Sequence, residues 1–352
     1  MKKLIFTLIL TATIAFGAWA KVITVSNDPA IPAQKTTVAQ ALSAAVAGDT
    51  IYLHGTNTSY GSINVTKINL TFLGSGYNPS KENPLISTVD YFYLDSAGNN
   101  QTGRGTKIIG IRVNSNIGVQ NGWSVSAAQN RNVVISRCYL NTVDFSGDGW
   151  TLKNNVITYW TNLEYRSSIV ISNNIFIGGY IQNTNQPTVL IANNLFYKGS
   201  VLNYNCSAVV FSNNILFGTN FATTSTVNSN NVNNNLTYHI FGITGSGEVL
   251  PTAGNTGMNN LQDTDPMFNL ESTVTISSGT NLSLGWDFTL QAGSPALTAS
   301  ATGGEIGLYG GAFPWPDNTG MAAIPYVQHM NISGVVQSGG NINVDVKAKR
   351  HN

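Results

Sequence analysis

The sequence predicts an all-β fold, a single-stranded parallel β-helix whose short strands wind into stacked coils of about 20 residues. Three observations carry this. An Asn-Asn doublet recurs at near-constant spacing, apolar residues alternate with period two before each doublet, and no repeat has room for both a strand and a helix of useful length.

The doublet stands in Trp150–Ile157, Ile169–Phe176, Val189–Phe196 and Val209–Leu216, and in a degenerate copy, Asn230–Thr237. An earlier copy, Val133–Leu140, carries Arg137-Cys138 in its place. The first asparagines, Asn154, Asn173, Asn193, Asn213 and Asn234, are spaced by 19, 20, 20 and 21 residues. Two positions upstream stand Leu152, Ile171, Ile191, Phe211 and Val232, and four upstream Trp150, Ile169, Val189 and Val209. That alternation marks strands with one buried face. Asparagine tolerates the left-handed backbone that a sharp turn needs. With coils about 4.8 Å apart, these five first asparagines are expected to form a hydrogen-bonded ladder. Ahead of the coils, Thr36 or Thr37 can cap a short helix with Val38, Leu42 and Ala45 on its apolar face. Gly48 stops it, Thr50 to Leu53 begin the first coil, and the helix would cover an open end of the stack.

These coils, the Thr37–Leu53 stretch and three later segments, Asp263–Phe268, Asp287–Leu297 and Glu305–Gly311, resemble the pectin-lyase-like superfamily, in particular its secreted bacterial members. The resemblance covers roughly residues 36 to 316 and implies a right-handed parallel β-helix with an N-terminal capping helix. It implies little about activity, because that fold hosts lyases, hydrolases, epimerases, tailspikes and adhesins. Residues 317–352 read as a strand-rich extension: Tyr326–Met330, Asn331–Val336 and Asn341–Val346 as strands, Ser338-Gly339-Gly340 as a turn, and Lys347–His351 as a solvated tail. A hairpin packed on the solenoid and a small docking appendage are the two readings of it.

Composition narrows the function classes. Lys2-Lys3, the apolar run Leu4–Phe16 and Ala18-Trp19-Ala20 form a secretory signal peptide over residues 1–20. Its removal moves the net charge from +1 to −1 and leaves 21–316 as the β-helix. Export to the periplasm, cell surface or medium follows. No later stretch is apolar for the roughly 20 residues a membrane helix needs, so an integral membrane protein is not expected. With 9% charged residues the chain lacks the basic footprint of a nucleic-acid binder. Its polarity comes from amides, 44 Asn against 16 acidic residues. Cys138 and Cys206 lie about four coils apart, roughly 19 Å of rise, too far for a disulfide.

A lyase of this fold needs a base beside a uronate and a cation to neutralise the carboxylate. Lys153 or Tyr159 would be that base and Arg166 or Arg137 the clamp. The competing reading is a surface charge ladder through Arg131, Asp148 and Arg166. Asp144 and Asp148 offer weak support for calcium, against a role as turn formers around Gly147 and Gly149. No adjacent Asp pair, Gly-His-Gly or Arg-Ile-Lys is present, and the four histidines are scattered, which disfavours hydrolase chemistry. Val156, Ile175, Leu195 and Ile215 should form an outward apolar stripe, covered either by the segment from about 251 onward or by a partner. Tyr197, Phe217 and Tyr238 recur at one repeat position and would stack into a platform for sugar rings, with packing in the core or at its rim as the other reading. The expectation is a non-catalytic secreted or cell-surface protein that binds glycan or another surface polymer. The alternatives are a uronate-specific polysaccharide lyase and a structural component of the cell surface.

Overall fold

Each doublet bends the chain out of one strand and into the next. Asn154, Asn173, Asn193, Asn213 and Asn234 all take left-handed backbone with φ between 54° and 58°, and Arg137 does the same at 55°. The three residues before each turn pair in parallel with the same three of the neighbouring coil, Leu152 opposite Ile171, Ile171 opposite Ile191, and Ile191 opposite Phe211. The result, in a computed structural model, is a parallel β-solenoid with a ten-stranded sheet running from Val22–Val25 to Asn231–Asn233 and an eleven-stranded sheet from the residues after each turn. Residues 20–94, 102–119, 130–222, 224–270, 277–316, 319–322, 325–332 and 344–350 are described. The signal-peptide residues 1–19 and the Ser338-Gly339-Gly340 turn lie outside them.

The residues expected to point inward do so. Trp150, Leu152, Ile169, Ile171, Val189, Ile191, Val209, Phe211 and Val232 are all buried in one continuous core. Thr37 is the cap of the helix Val38–Ala44, its side chain accepting from Gln40 N. Val38, Ala41 and Leu42 join the core beside the edge strand Val22–Val25. That edge strand corrects the expected entry point: Thr50–Leu53 is the second strand of its sheet, already paired with Val22–Val25.

The ladder lies one residue downstream of its expected place. The second asparagine of each doublet forms it: Nδ2 of Asn155, Asn174, Asn194, Asn214 and Asn235 donates to Oδ1 of the same residue one coil on, ending at Asn260, at 3.0 to 3.1 Å. Cys138 occupies the equivalent place, its Sγ 3.2 Å from Ser136 O and 3.6 Å from Ile108 O, as the ladder amides approach the carbonyls beneath them. The first asparagines lie off this ladder, and three of the five hold the returning chain instead. Asn154 Nδ2 donates to Phe313 O, Asn173 Nδ2 to Leu308 O and Gly310 O, and Asn234 Nδ2 to Ala299 O.

That returning chain covers the apolar stripe. Val156, Ile175, Leu195 and Ile215 are buried with Phe268, Trp286, Phe288, Ile306, Leu308 and Trp315 in a second apolar cluster. Both cysteines are free and buried. At the C-terminus, Pro325–Ile332 pairs antiparallel with Val344–Arg350. The expected strand Tyr326–Met330 lies within the first of these and Val344–Val346 within the second, and Lys347–Arg350 continue that second strand instead of forming a tail. Most of the expected strand Asn331–Val336 lies outside the described residues. No described helix is long and apolar enough to cross a membrane.

Candidate functional site

The aromatic platform expected at Tyr197, Phe217 and Tyr238 exists as a stack, with ring centroids 6.1 and 5.0 Å apart. It is not a free sugar-binding surface. Tyr197 and Phe217 are buried, Phe217 lies against Phe268 and Tyr197 against Trp286, and the Tyr197 hydroxyl donates to Thr280 O at 2.8 Å. The stack is where the returning chain docks, because an uncovered apolar column beside the stripe would leave a large patch in water.

Exposed aromatic residues gather elsewhere, on the second half of the eleven-stranded sheet. There Ser62–Asn64, Thr88–Tyr93, Arg112–Gly118, Tyr139–Asp144, Trp160–Asn162 and Tyr180–Gln182 lie side by side in sequence order. Phe92, Ile117, Val143 and Ile181 point into the core. By strand alternation their neighbours point out. One outward row places Tyr91 opposite Asn116, Asn116 opposite Thr142, and Trp160 opposite Tyr180. The next places Tyr93 opposite Gly118, and Asn162 opposite both Asp144 and Gln182.

The rings form two groups along this face. Tyr91 and Tyr93 stack with centroids 5.4 Å apart and planes 12° from parallel. Tyr159 stacks on Trp160 at 5.4 Å and meets Tyr180 edge-on at 6.2 Å. Tyr91, Tyr159, Tyr165 and Tyr204 are 36%, 49%, 43% and 52% exposed. Tyr165 is held at φ 58° next to Glu164 at 47°, a conformation that a bulky side chain seldom takes. It borders an open cavity of about 340 Å³ with Asn185, Asn205, Ser207, Ser225, Thr226 and Asn228, all uncharged hydrogen-bonding side chains.

Between the two ring groups lies a polar floor. Asn116 Nδ2 donates to Asp144 Oδ2 at 2.8 Å, and Asn162 Nδ2 donates to Glu164 Oε1 at 2.6 Å. Asn183 Nδ2 donates to Asn162 Oδ1, and Asn205 Nδ2 to Asn183 Oδ1, a short second amide ladder. Burial pushes the Asp144 carboxyl above the usual range and the nearby Glu164 charge adds to this, against hydrogen bonds from Asn116 and Asn162. Asp144 Oδ1 and Asn116 Oδ1 have no hydrogen-bond partner and are buried, so they belong to the packing of this floor and not to its open surface. Exposed rings beside an amide-rich floor and an amide-lined cavity suit a ligand with C–H faces and hydroxyl groups.

The four residues weighed as lyase machinery do not converge. Arg137 and Lys153 line one cavity on the ten-stranded sheet. Arg166 belongs to the turn between Trp160–Asn162 and Val170–Ser172 and is buried. Tyr159 stands on the aromatic face of the other sheet. Asp144 and Asp148 do not form a chelating pair either: Asp144 takes Asn116, whereas Asp148 Oδ1 accepts from Ser167 N at 2.8 Å. Among the described residues no group of three or more His, Cys, Asp or Glu could hold a metal ion.

Tyr91, Tyr93, Trp160, Tyr180, Asn116 and Asn162 escaped the sequence reading. The Tyr-Phe-Tyr alternation at Tyr91–Tyr93 and the Tyr159-Trp160 pair were visible signals. They precede or lie between the doublets, however, and their shared face depends on register across coils of unequal length. No protein-family model matches this chain, and no curated protein matches it either.

Proposed function

We propose that this protein is a non-catalytic, exported, glycan-binding β-solenoid that holds a polysaccharide or cell-surface glycan against the aromatic and amide face of its second sheet. The observation that carries the reading is the gathering of Tyr91, Tyr93, Tyr159, Trp160 and Tyr180 as two stacked ring groups around an amide-rich floor. Stacked rings offer apolar surface to sugar faces, and Asn185, Asn205 and Asn228 in the cavity beside Tyr165 offer hydrogen-bonding groups to sugar hydroxyls. Asp144 and Glu164 put negative charge on this face, which favours a neutral glycan over a uronate chain.

Affinity electrophoresis in gels containing neutral or uronate polysaccharides tests the reading. Retardation by a neutral polymer that disappears in a Tyr159→Ala/Trp160→Ala double variant is the expected result. Equal retardation of the variant and the parent would overturn it. Export rests on the signal-peptide pattern of residues 1–20. N-terminal sequencing of protein recovered from the periplasm or medium should begin at Lys21.

A uronate lyase remains the second reading, because Arg137 and Lys153 share a cavity. Ultraviolet absorbance on uronate polysaccharides, with and without calcium, separates the two: a rise from unsaturated product supports a lyase.

A further inference from the structure

The capped end of the solenoid holds a buried carboxylate that the glycan face does not use. Asp49 is 0% exposed and lies between the capping helix Val38–Ala44 and the strand Thr50–Leu53. Its Oδ2 accepts from Val46 N at 2.8 Å, and its Oδ1 accepts from Lys21 N at 2.9 Å, 28 residues upstream. A buried carboxylate is costly unless charge and hydrogen bonds meet it. The Lys21 ammonium stands 3.8 Å from Oδ2, but on a side chain that is 52% exposed, where water screens the attraction. That ammonium also donates to Ala44 O, and Lys67 Nζ donates to Ser43 O and Ala45 O, so both lysines are shared with carbonyls at the end of the helix. Burial raises the Asp49 carboxyl, yet the Lys21 and Val46 N–H groups and the two lysine charges outweigh it and hold it below the usual range.

The atom that Oδ1 meets is the one that cleavage after Ala20 changes. In the uncut chain Lys21 N is a neutral amide. Hydrolysis by a signal peptidase breaks the Ala20–Lys21 C–N bond. The oxygen of one water goes to the Ala20 carbonyl carbon, which leaves as a carboxylate, and its two protons end on Lys21 N. An α-amine has a reference pKa of about 7.7–8.0, so at neutral pH the product is an ammonium. Ala20 and Lys21 are both exposed, which leaves that bond open to a protease. Thr50 N donates to Lys21 O at 2.9 Å and Val22 pairs with Thr50, so the strand that follows holds the nitrogen against Asp49 whether or not Ala20 is attached.

We propose that Asp49 is the receptor for the α-ammonium that signal-peptide cleavage creates at Lys21, and that this ion pair locks the edge strand Val22–Val25 and the capping helix onto the end of the coils. Cleavage turns a neutral hydrogen bond into a charge-assisted one at the same place. Chain ends and sheet edges are where a stacked fold frays first, so the added bond acts where the solenoid is weakest. The proposal rests on the export reading of residues 1–20.

Urea unfolding at pH 7 of two proteins, Lys21–Asn352 and Ala18–Asn352, tests it, each released from a fusion partner without extra residues. The first should have a folding equilibrium about tenfold more favourable, the difference between a charge-assisted and a neutral bond. Asp49→Asn in both should erase that difference. Acylation of the α-amine of Lys21–Asn352, followed by mass spectrometry of the N-terminal peptide, gives a second readout should the Asp49→Asn proteins fold poorly. It should be slower in the folded chain than in urea, because a carboxylate partner keeps the nitrogen protonated. Equal stability of the two N-termini, or equal acylation folded and unfolded, would overturn the pair and leave the export reading intact. Exported protein that begins at a residue other than Lys21 would overturn the proposal together with the assigned cleavage position.

Discussion

Replacing Asn194 by alanine tests whether the buried amide ladder holds the coils together. Asn194 is fully buried in mid-ladder. Its Oδ1 accepts from Asn174 N at 2.9 Å and from Asn174 Nδ2 at 3.0 Å. Its Nδ2 faces Ile171 O, Ala192 O and Asn214 Oδ1, each at 3.0 Å. An amide has two hydrogens and two lone pairs, so this arrangement saturates it, with one donor shared. At about 1 kcal/mol net per bond, four saturated positions give roughly 4 kcal/mol. Water cannot reach the orphaned Asn174 N–H, which keeps the loss from falling much below that figure. Asn260, at the ladder's end and partly buried, accepts two bonds from Asn235 and donates one to Val232 O. Asn260→Ala should therefore cost about 2 kcal/mol, softened by solvent. Urea unfolding followed by tryptophan fluorescence measures both. If Asn194→Ala costs less than about 1 kcal/mol, or no more than Asn260→Ala, the ladder is not a principal source of stability and the bond accounting is wrong.

Three further outcomes follow from named contacts. Asn173→Gly should keep the left-handed turn but release the anchors to Leu308 O and Gly310 O, so limited proteolysis should cut within 277–316 faster than in the parent. Unchanged cleavage would show that the apolar stripe alone holds that segment. The Asp144 carboxyl is raised by burial first and by Glu164 second. The folded state therefore binds its proton more tightly than the unfolded chain does, and stability from this group falls as pH rises above about 3.9 toward the folded value. Asp144→Asn should accordingly be more stable than the parent at neutral pH, with the difference closing as pH falls; a gap that widens in acid would contradict this. Burial pushes the thiols of Cys138 and Cys206 up to about 12. Neither should react with a thiol reagent at pH 8 in the folded protein, and both should react in denaturant; rapid labelling of the native chain would refute their place in the core.

Residue order alone was enough to read the coil period, the turn at each doublet and the inward-facing residues. The reason is local: left-handed backbone selects asparagine, and a strand with one buried face must alternate. Register between distant segments set the rest. The left-handed turn sets the first asparagine of each doublet off the ladder, where the returning chain meets three of the five, and leaves the second to reach the carbonyl beneath. No single repeat contains the information for that division of labour. Tyr197 and Phe217 have the spacing of an exposed platform, yet Phe268 and Trp286 cover them. Tyr91 and Trp160 share a face only because the intervening coils bring Asn116 and Thr142 into line between them. Burial is a property of what packs on a residue, and here much of what packs comes from 60 or more positions away in the chain. Local chemistry therefore specified the coil, while long-range contacts selected the faces left open to a ligand.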